Sequence, residues 1–124
     1  PQSLNLYSYT KNNPVIYVDH DGHNPLLIAA AVQIIRFVAK KIGRKVAIKS
    51  YRVLKPYLKR VRDDAKNYTL EVSGPNIKNW KFRIAIKKKG ISKPIFRIEY
   101  HYELGKWQLH YHVGNKRIVL WEKK

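Results

Sequence analysis

The sequence predicts an α+β fold in which N-terminal helices precede an antiparallel β-sheet, and three observations predict it. Apolar residues recur with helical spacing between Leu26 and about Lys66. From Tyr68 onward they alternate with polar residues instead, the period of a half-buried strand. The alternating runs are joined by Lys88-Lys89-Gly90, Leu104-Gly105 and Gly114-Asn115, connections that suit antiparallel neighbours and are too short for a crossover helix. A chain of 124 residues that is 44% hydrophobic can bury one core, which excludes a disordered tail. Its 26 Lys+Arg against 8 Asp+Glu give a formal charge of +18, which points to a polyanion: nucleic acid, an acidic membrane surface or a strongly acidic protein. The absence of Cys removes disulfides, thiolate zinc sites and Cys nucleophiles together.

The charge divides the chain. Residues 1–25 hold Lys11 against Asp19 and Asp21, a balance of −1, so the remaining 25 basic and 6 acidic residues place +19 on residues 26–124. We therefore read 1–24 as a border segment and 25–124 as the basic domain. No basic stretch opens Pro1-Gln2-Ser3-Leu4 as it would a signal peptide, so the numbering is expected to begin inside a longer polypeptide. In the border, Tyr7/Tyr9 and Val15/Tyr17 alternate as short strands around Asn12-Asn13-Pro14, and Asp19-His20-Asp21-Gly22 closes it as a turn.

Asn24-Pro25 supplies an N-cap and a first-turn proline for a helix that should stop near Gly43. Its apolar run, residues 26–35 interrupted by Gln33, falls short of the ~20 residues a membrane span needs, so no stable membrane insertion is expected. A second helical segment starts at Arg44. Pro56 lacks an amide N–H and crowds the preceding turn, which predicts an end or a kink there and a further helical stretch from Tyr57 to about Lys66. Between Gln33 and Arg62 stand eleven basic residues and no acidic one. Strands are predicted at Tyr68–Val72, Trp80–Lys87, Ile95–Glu103, Lys106–Val113 and Lys116–Trp121.

The last strands carry the residues suited to chemistry. In Ile95–Glu103, Phe96, Ile98, Tyr100 and Tyr102 form the apolar side and leave Arg97, Glu99, His101 and Glu103 on the other. In Lys106–Val113 the polar side is Gln108, His110 and His112. A two-residue loop at Leu104-Gly105 sets Glu99 opposite His110, Arg97 opposite His112 and His101 opposite Gln108, and a slip of one residue would set polar against apolar sides. The Gly114-Asn115 turn places Arg117 opposite His112, while Lys81 and Arg83 share one side of their strand. Metal-free RNA cleavage needs groups of this kind: a base for the ribose 2′-OH, an acid for the leaving 5′-oxygen and cations for the phosphorane. His101, His110 and His112 are the proton-transfer candidates, Glu99 a base or orienting group, and Arg97, Arg83, Lys81 and Arg117 the phosphate contacts. A solvated polar sheet face would show the same alternation without chemistry. A zinc site on His110 and His112 with Glu99 or His101 is the weaker reading, since no fixed-spacing zinc motif occurs, and no cofactor or metal is expected. Neither a P-loop nor a dinucleotide fingerprint is present, and Ser50, Ser73 and Ser92 lie in no nucleophile-elbow context. On the basic helical stretch, Lys45, Lys49, Arg52, Lys59, Arg60 and Arg62 are candidate phosphate contacts, with Tyr51 or Tyr57 available to stack on bases.

The border block, Asn5-x-Tyr7-x-Tyr9, Asn12-Asn13-Pro14 and Asp19-His20-Asp21-Gly22, closely resembles the end of the core of RHS/YD-repeat proteins, with His20 where that family usually has Pro. The likeness covers about the first 22 residues. Within the family it is most similar to the cell-wall-associated, WapA-type proteins of Gram-positive bacteria. The resemblance implies that residues 25–124 are a C-terminal toxin domain for contact-dependent competition, released near the border. It implies secretion or cell-wall attachment in the producer as part of a larger protein, and action in the cytoplasm of a target cell. It also implies a tRNA nuclease, a cognate acidic immunity protein as partner, and monomeric action. The order of helices and antiparallel strands is similar to the barnase/EndoU/colicin/RelE group of ribonuclease folds. A membrane-active toxin working through residues 26–45, or a DNA-cleaving toxin, would be the alternatives.

Overall fold

The structure, a computed structural model, describes residues 16–19, 25–74 and 81–123. It has the expected α+β layout: two helices followed by an antiparallel meander. The elements are β1 (Ile16–Asp19), α1 (Pro25–Lys41), α2 (Arg44–Asp63), β2 (Tyr68–Ser73), β3 (Phe82–Lys88), β4 (Phe96–Glu103), β5 (Lys106–Val113) and β6 (Lys116–Lys123). The strands form one sheet in sequence order, β1 to β6, and every neighbouring pair is antiparallel. The second strand expected in the border is therefore present as β1, hydrogen-bonded to β2 with Ile16 opposite Ser73. The Tyr7/Tyr9 strand, the Asn24 cap and Trp80 lie outside the described residues.

Helix α1 buries Leu27, Ala31, Ile34, Ile35 and Val38, the three- and four-residue spacing of one face. Lys40 and Lys41 occupy its last turn, where positive charge complements the helix dipole. The reversal into α2 takes two residues, Ile42 and Gly43, and Gly43 adopts φ 149°, a conformation side chains resist. Helix α2 then buries Ala47, Ser50, Leu54, Leu58 and Val61 on one stripe. Ser50 satisfies its hydroxyl by donating to the Val46 carbonyl at 2.8 Å.

Pro56 does not end the helix, for α2 runs from Arg44 to Asp63 through it, and the separate stretch expected from Tyr57 is its second half. Pro56 lies on the exposed side of the helix, where water can take the carbonyl left without a donor one turn back. The buried residues on either side, Leu54 and Leu58, keep both halves of the helix in the core. Tertiary burial thus outweighs the local cost of the proline.

Both helices pack on one face of the sheet. That face presents Leu70, Val72, Phe82, Ile84, Ile86, Phe96, Ile98, Tyr100 and Leu109 to them as a continuous core. Tyr57 of α2 stacks on Phe96 with ring centroids 4.5 Å apart. Among the described residues, no helix is long and apolar enough to cross a membrane.

The turn at Leu104-Gly105 has positive φ at both residues, 53° and 82°. This type I′ geometry matches the twist of the flanking strands and fixes the expected register: Arg97 opposite His112, Glu99 opposite His110 and His101 opposite Gln108. Arg117 stands opposite His112, also as expected. The pairing of β5 with β6 then shifts between Leu109 and His110, so that Val119 faces His110 while Trp121 faces Leu109. Leu120 is the extra residue of this bulge. Because of it Trp121 points to the helix side, 6.3 Å from Tyr100, and Glu122 turns to the polar side opposite Gln108.

Candidate active site

Side chains alternate across a strand, so the residues that do not meet the helices gather on the other face of the sheet. On β4 these are Arg97, Glu99, His101 and Glu103, and on β5 Lys106, Gln108, His110 and His112. Arg83 of β3 stands opposite Glu99, and Arg117 of β6 opposite His112. The three histidines form a row, His101 to His110 at 5.0 Å and His110 to His112 at 4.9 Å between ring centroids.

Ion pairs lock the cations around this row. Arg97 Nε lies 2.7 Å from Glu99 Oε1, and its Nη2 lies 3.3 Å from His112 Nε2. Arg83 reaches between Glu71 at 3.5 Å and Glu99 at 4.0 Å, and Lys87 holds the other Glu71 oxygen at 2.9 Å. Arg117 Nη2 donates to Glu103 Oε2 at 2.6 Å and also to Gln108 Oε1. Gln108 in turn donates to Glu122 at 3.0 Å, and Glu122 takes Lys106 at 3.0 Å. Arg117 starts opposite His112 and ends on Gln108 and Glu103, so its side chain runs lengthwise past His110. His101 Nε2 faces Glu103 at 3.5 Å.

His110 is the buried member of the row, 3% exposed, and its Nδ1 has no hydrogen-bond partner. Burial, with the Arg117 charge second, pushes its pKa down to about 4, against the pull of Glu99. Its imidazole is therefore neutral at pH 7 and has a nitrogen lone pair free to accept a proton. His112 is lowered by burial and then by Arg97. The hydrogen bond from Arg117 holds the Glu103 carboxyl below its usual range.

Two groups of side chains have ligand atoms close enough to share an ion: Glu99, His110 and His112, and His101, Glu103 and His110, each set within 4.8 Å. The carboxylate of each set is already neutralised, Glu99 by Arg97 and Glu103 by Arg117. A dication would share its carboxylate with a guanidinium and sit beside a second fixed positive charge, which works against metal binding here.

Of the residues expected from sequence to act together, the structure gathers His101, His110, His112, Glu99, Arg97, Arg83 and Arg117 on one face. Lys81 lines a cleft with Arg83, Glu99 and His101 at one end of that face. Lys45, Lys49, Arg52 and Tyr51 are placed elsewhere, on the exposed side of α2. That helix covers the opposite face of the sheet, so these four do not share a surface with the histidines. Lys59, Arg60 and Arg62 also belong to α2, with Arg60 over the Tyr57 ring at 5.0 Å and Arg62 paired to Asp63 at 3.0 Å. Sequence reasoning gave no role to Glu71, Glu103, Gln108 or Glu122, which hold the cations in place. Glu103 and Gln108 were legible as polar-side positions, whereas Glu122 reaches that side through the bulge. No family model, curated protein or solved structure matches the chain.

Proposed function

We propose that this chain is an antibacterial toxin domain acting as a metal-independent endoribonuclease, with tRNA as the first substrate to test. The observation that carries the reading is the neutral, buried His110 set between two further imidazoles, with the Arg117 charge acting on it, Arg97 on His112 and Arg83 on the facing Glu99. In this reading His110 takes the proton of a ribose 2′-OH, and the resulting oxygen attacks the adjacent phosphorus. The guanidinium groups stabilise the charge that develops on the phosphorane oxygens. We assign His101, the histidine whose ring nitrogen faces a carboxylate, to give a proton to the departing 5′-oxygen. Glu99 orients the row through Arg97. The products are a 2′,3′-cyclic phosphate and a free 5′-hydroxyl.

Arg117 lies past His110 while it is held by Glu103. An RNA phosphate competing for that guanidinium would draw it off Glu103 and open His110 to the ribose. The helices-then-meander order also suits the barnase/EndoU/colicin/RelE group, and the border motif suits delivery from an RHS/YD-repeat protein into a target cytoplasm, with an acidic immunity protein protecting the producer.

The test is incubation of the chain with total RNA and purified tRNA, with and without EDTA, followed by mapping of the new ends. Cleavage that survives EDTA and leaves cyclic phosphate ends is expected. Intact RNA, or cleavage abolished by EDTA, overturns the proposal, and nicked plasmid beside intact RNA redirects it to DNA. A second reading rests on the shallow apolar groove between α1 and α2, about 320 Å³, where Val32, Ile35, Ala39 and Ile48 meet Arg36 and Arg44. Such a surface suits peripheral contact with anionic lipid, and dye release from anionic vesicles tests it.

A further inference from the structure

We propose that two cation-lined clefts at opposite ends of the histidine row bind nucleotides on either side of the scissile phosphate of one single-stranded RNA, which runs along β4 across the row. The proposal rests on the ribonuclease reading of the row between them.

The smaller cleft, about 220 Å³, is lined by Lys93, Pro94, Arg97, His112, Gly114 and Asn115. Lys93 Nζ donates to Asn115 Oδ1 at 2.6 Å, so the loop before β4 is tied to the β5–β6 turn and the cleft has two walls. It offers two cations and the His112 imidazole but no Tyr, Trp or Phe ring, which suits a phosphate and its sugar. The larger cleft, about 410 Å³, is lined by Ser73, Lys81, Arg83, Glu99, His101 and Tyr102 among others. It pairs two cations with the ring of Tyr102, which is 59% exposed, stands on the apolar side of β4 edge-on to Trp107 at 5.7 Å, and meets the cations because this cleft wraps round the sheet where β3 begins, with Phe82 and Tyr100 also in its wall. A cation beside an exposed ring is the combination that holds a phosphate and stacks the adjoining base.

The two clefts share the histidine row as their inner boundary, His112 in one and His101 in the other. Arg97 and His101 are four residues apart on β4, about 13 Å at ~3.3 Å per residue. That separation spans several nucleotides at the ~3.4 Å rise of a stacked strand. One strand can therefore place a nucleotide in each cleft with the scissile phosphate over His110. A duplex would keep its bases paired and present none to Tyr102, so the geometry selects loops and single strands.

Binding of 2′-O-methyl oligonucleotides, which cannot supply the attacking hydroxyl, tests this by fluorescence anisotropy with lengths of two, four and eight nucleotides. Affinity should rise steeply between two and four. Tyr102→Ala should weaken the four-nucleotide complex by about tenfold, as loss of one stacked base does. Lys93→Ala should weaken it less and lower the slope of log affinity on log salt by about 0.7, one phosphate contact. Lys55→Ala, which removes the same charge from the exposed side of α2, is the comparison. If Tyr102→Ala and Lys93→Ala cost no more than Lys55→Ala, with melting temperatures unchanged, the clefts are not the binding site. Cleavage of the unmodified four-nucleotide RNA is scored separately. An oligonucleotide held in both clefts but never cut overturns the ribonuclease reading and leaves the clefts, whereas cleavage indifferent to Tyr102 and Lys93 does the reverse.

Discussion

On the helix side of the sheet the cations stand in helices that hold no carboxylate before Asp63; on the strand side the cations around the histidines are tied to carboxylates. Arg83 has Glu71 and Glu99, Arg97 has Glu99, Arg117 has Glu103, and Lys106 has Glu122. The first arrangement makes a field. Its charges are exposed, act over about a Debye length of ~10 Å at 0.1 M salt, and weaken as salt rises. The second arrangement makes a geometry. Each guanidinium is held to a carboxylate, and the charges of Arg97 and Arg117 lower the histidine pKa values. The net charge alone would treat the two sides as one basic surface, but only the strand side combines cations with groups able to move a proton.

That contrast predicts opposite kinetic consequences. His110→Ala should lower kcat by about 10²- to 10⁴-fold, the usual worth of a positioned acid or base, with a cooperative melting transition retained. The triple variant Lys45→Gln, Lys49→Gln and Arg52→Gln should change KM and its salt dependence and leave kcat near wild type. A kcat loss in the triple variant as large as that in His110→Ala would mean that the helix side reaches the reacting atoms, and the division between the two faces would be lost.

The pH profile sharpens the same division. The unfolded chain protonates His110 near 6.5, while the folded chain holds it at about 4. Between those values the unfolded state binds the extra proton, so this contribution to stability is intact above about pH 6.5 and drains away as pH falls towards 4. His112, shifted in the same direction, adds to the trend. Denaturant midpoints at pH 7.5 and 4.5 should differ more in the wild type than in His110→Ala, and an equal difference would contradict the burial of a neutral imidazole. The acidic limb of kcat/KM that reports His110 should fall near pH 4 for the same reason. A smaller effect is expected at Glu103: Glu103→Gln releases Arg117 from an exposed ion pair, and RNA affinity should rise severalfold at most.

How much of this was legible follows from what fixes each feature. The pairing of Glu99 with His110 and of Arg97 with His112 could be read because a period of two and a two-residue turn leave one register that keeps Phe96, Ile98 and Tyr100 on the buried side. The separation of the basic helix from the histidines was legible in principle. Helices must cover the apolar face of a half-polar sheet, so their exposed cations lie opposite its polar face. Continuity of α2 through Pro56 depends on Leu54 and Leu58 meeting the sheet, which local propensity does not contain. The hydrogen-bonding of β1 to β2 is a pairing between distant segments, and nothing in Ile16–Asp19 specifies its partner.

The bulge in β6 is the feature least available to sequence, because Val119, Leu120 and Trp121 are all strand-formers and any of them fits either face. It also permits the smallest and sharpest test. With Leu120 as the extra residue, its deletion straightens the pairing without changing the side on which Trp121 or Glu122 stands. The Trp121 contact with Tyr100 and the Glu122 bonds to Lys106 and Gln108 should persist, and the cost should be about 1 kcal/mol, the share of a half-buried leucine. Were the bulge instead retained after the deletion, Glu122 would be driven onto the helix side and Trp121 onto the histidine side. That outcome would cost several times as much and would release Gln108 from Glu122. A thermal melt of the deletion variant, read beside its RNA cleavage rate, separates the two, since a bulge that merely re-aims β6 leaves the histidine row in register.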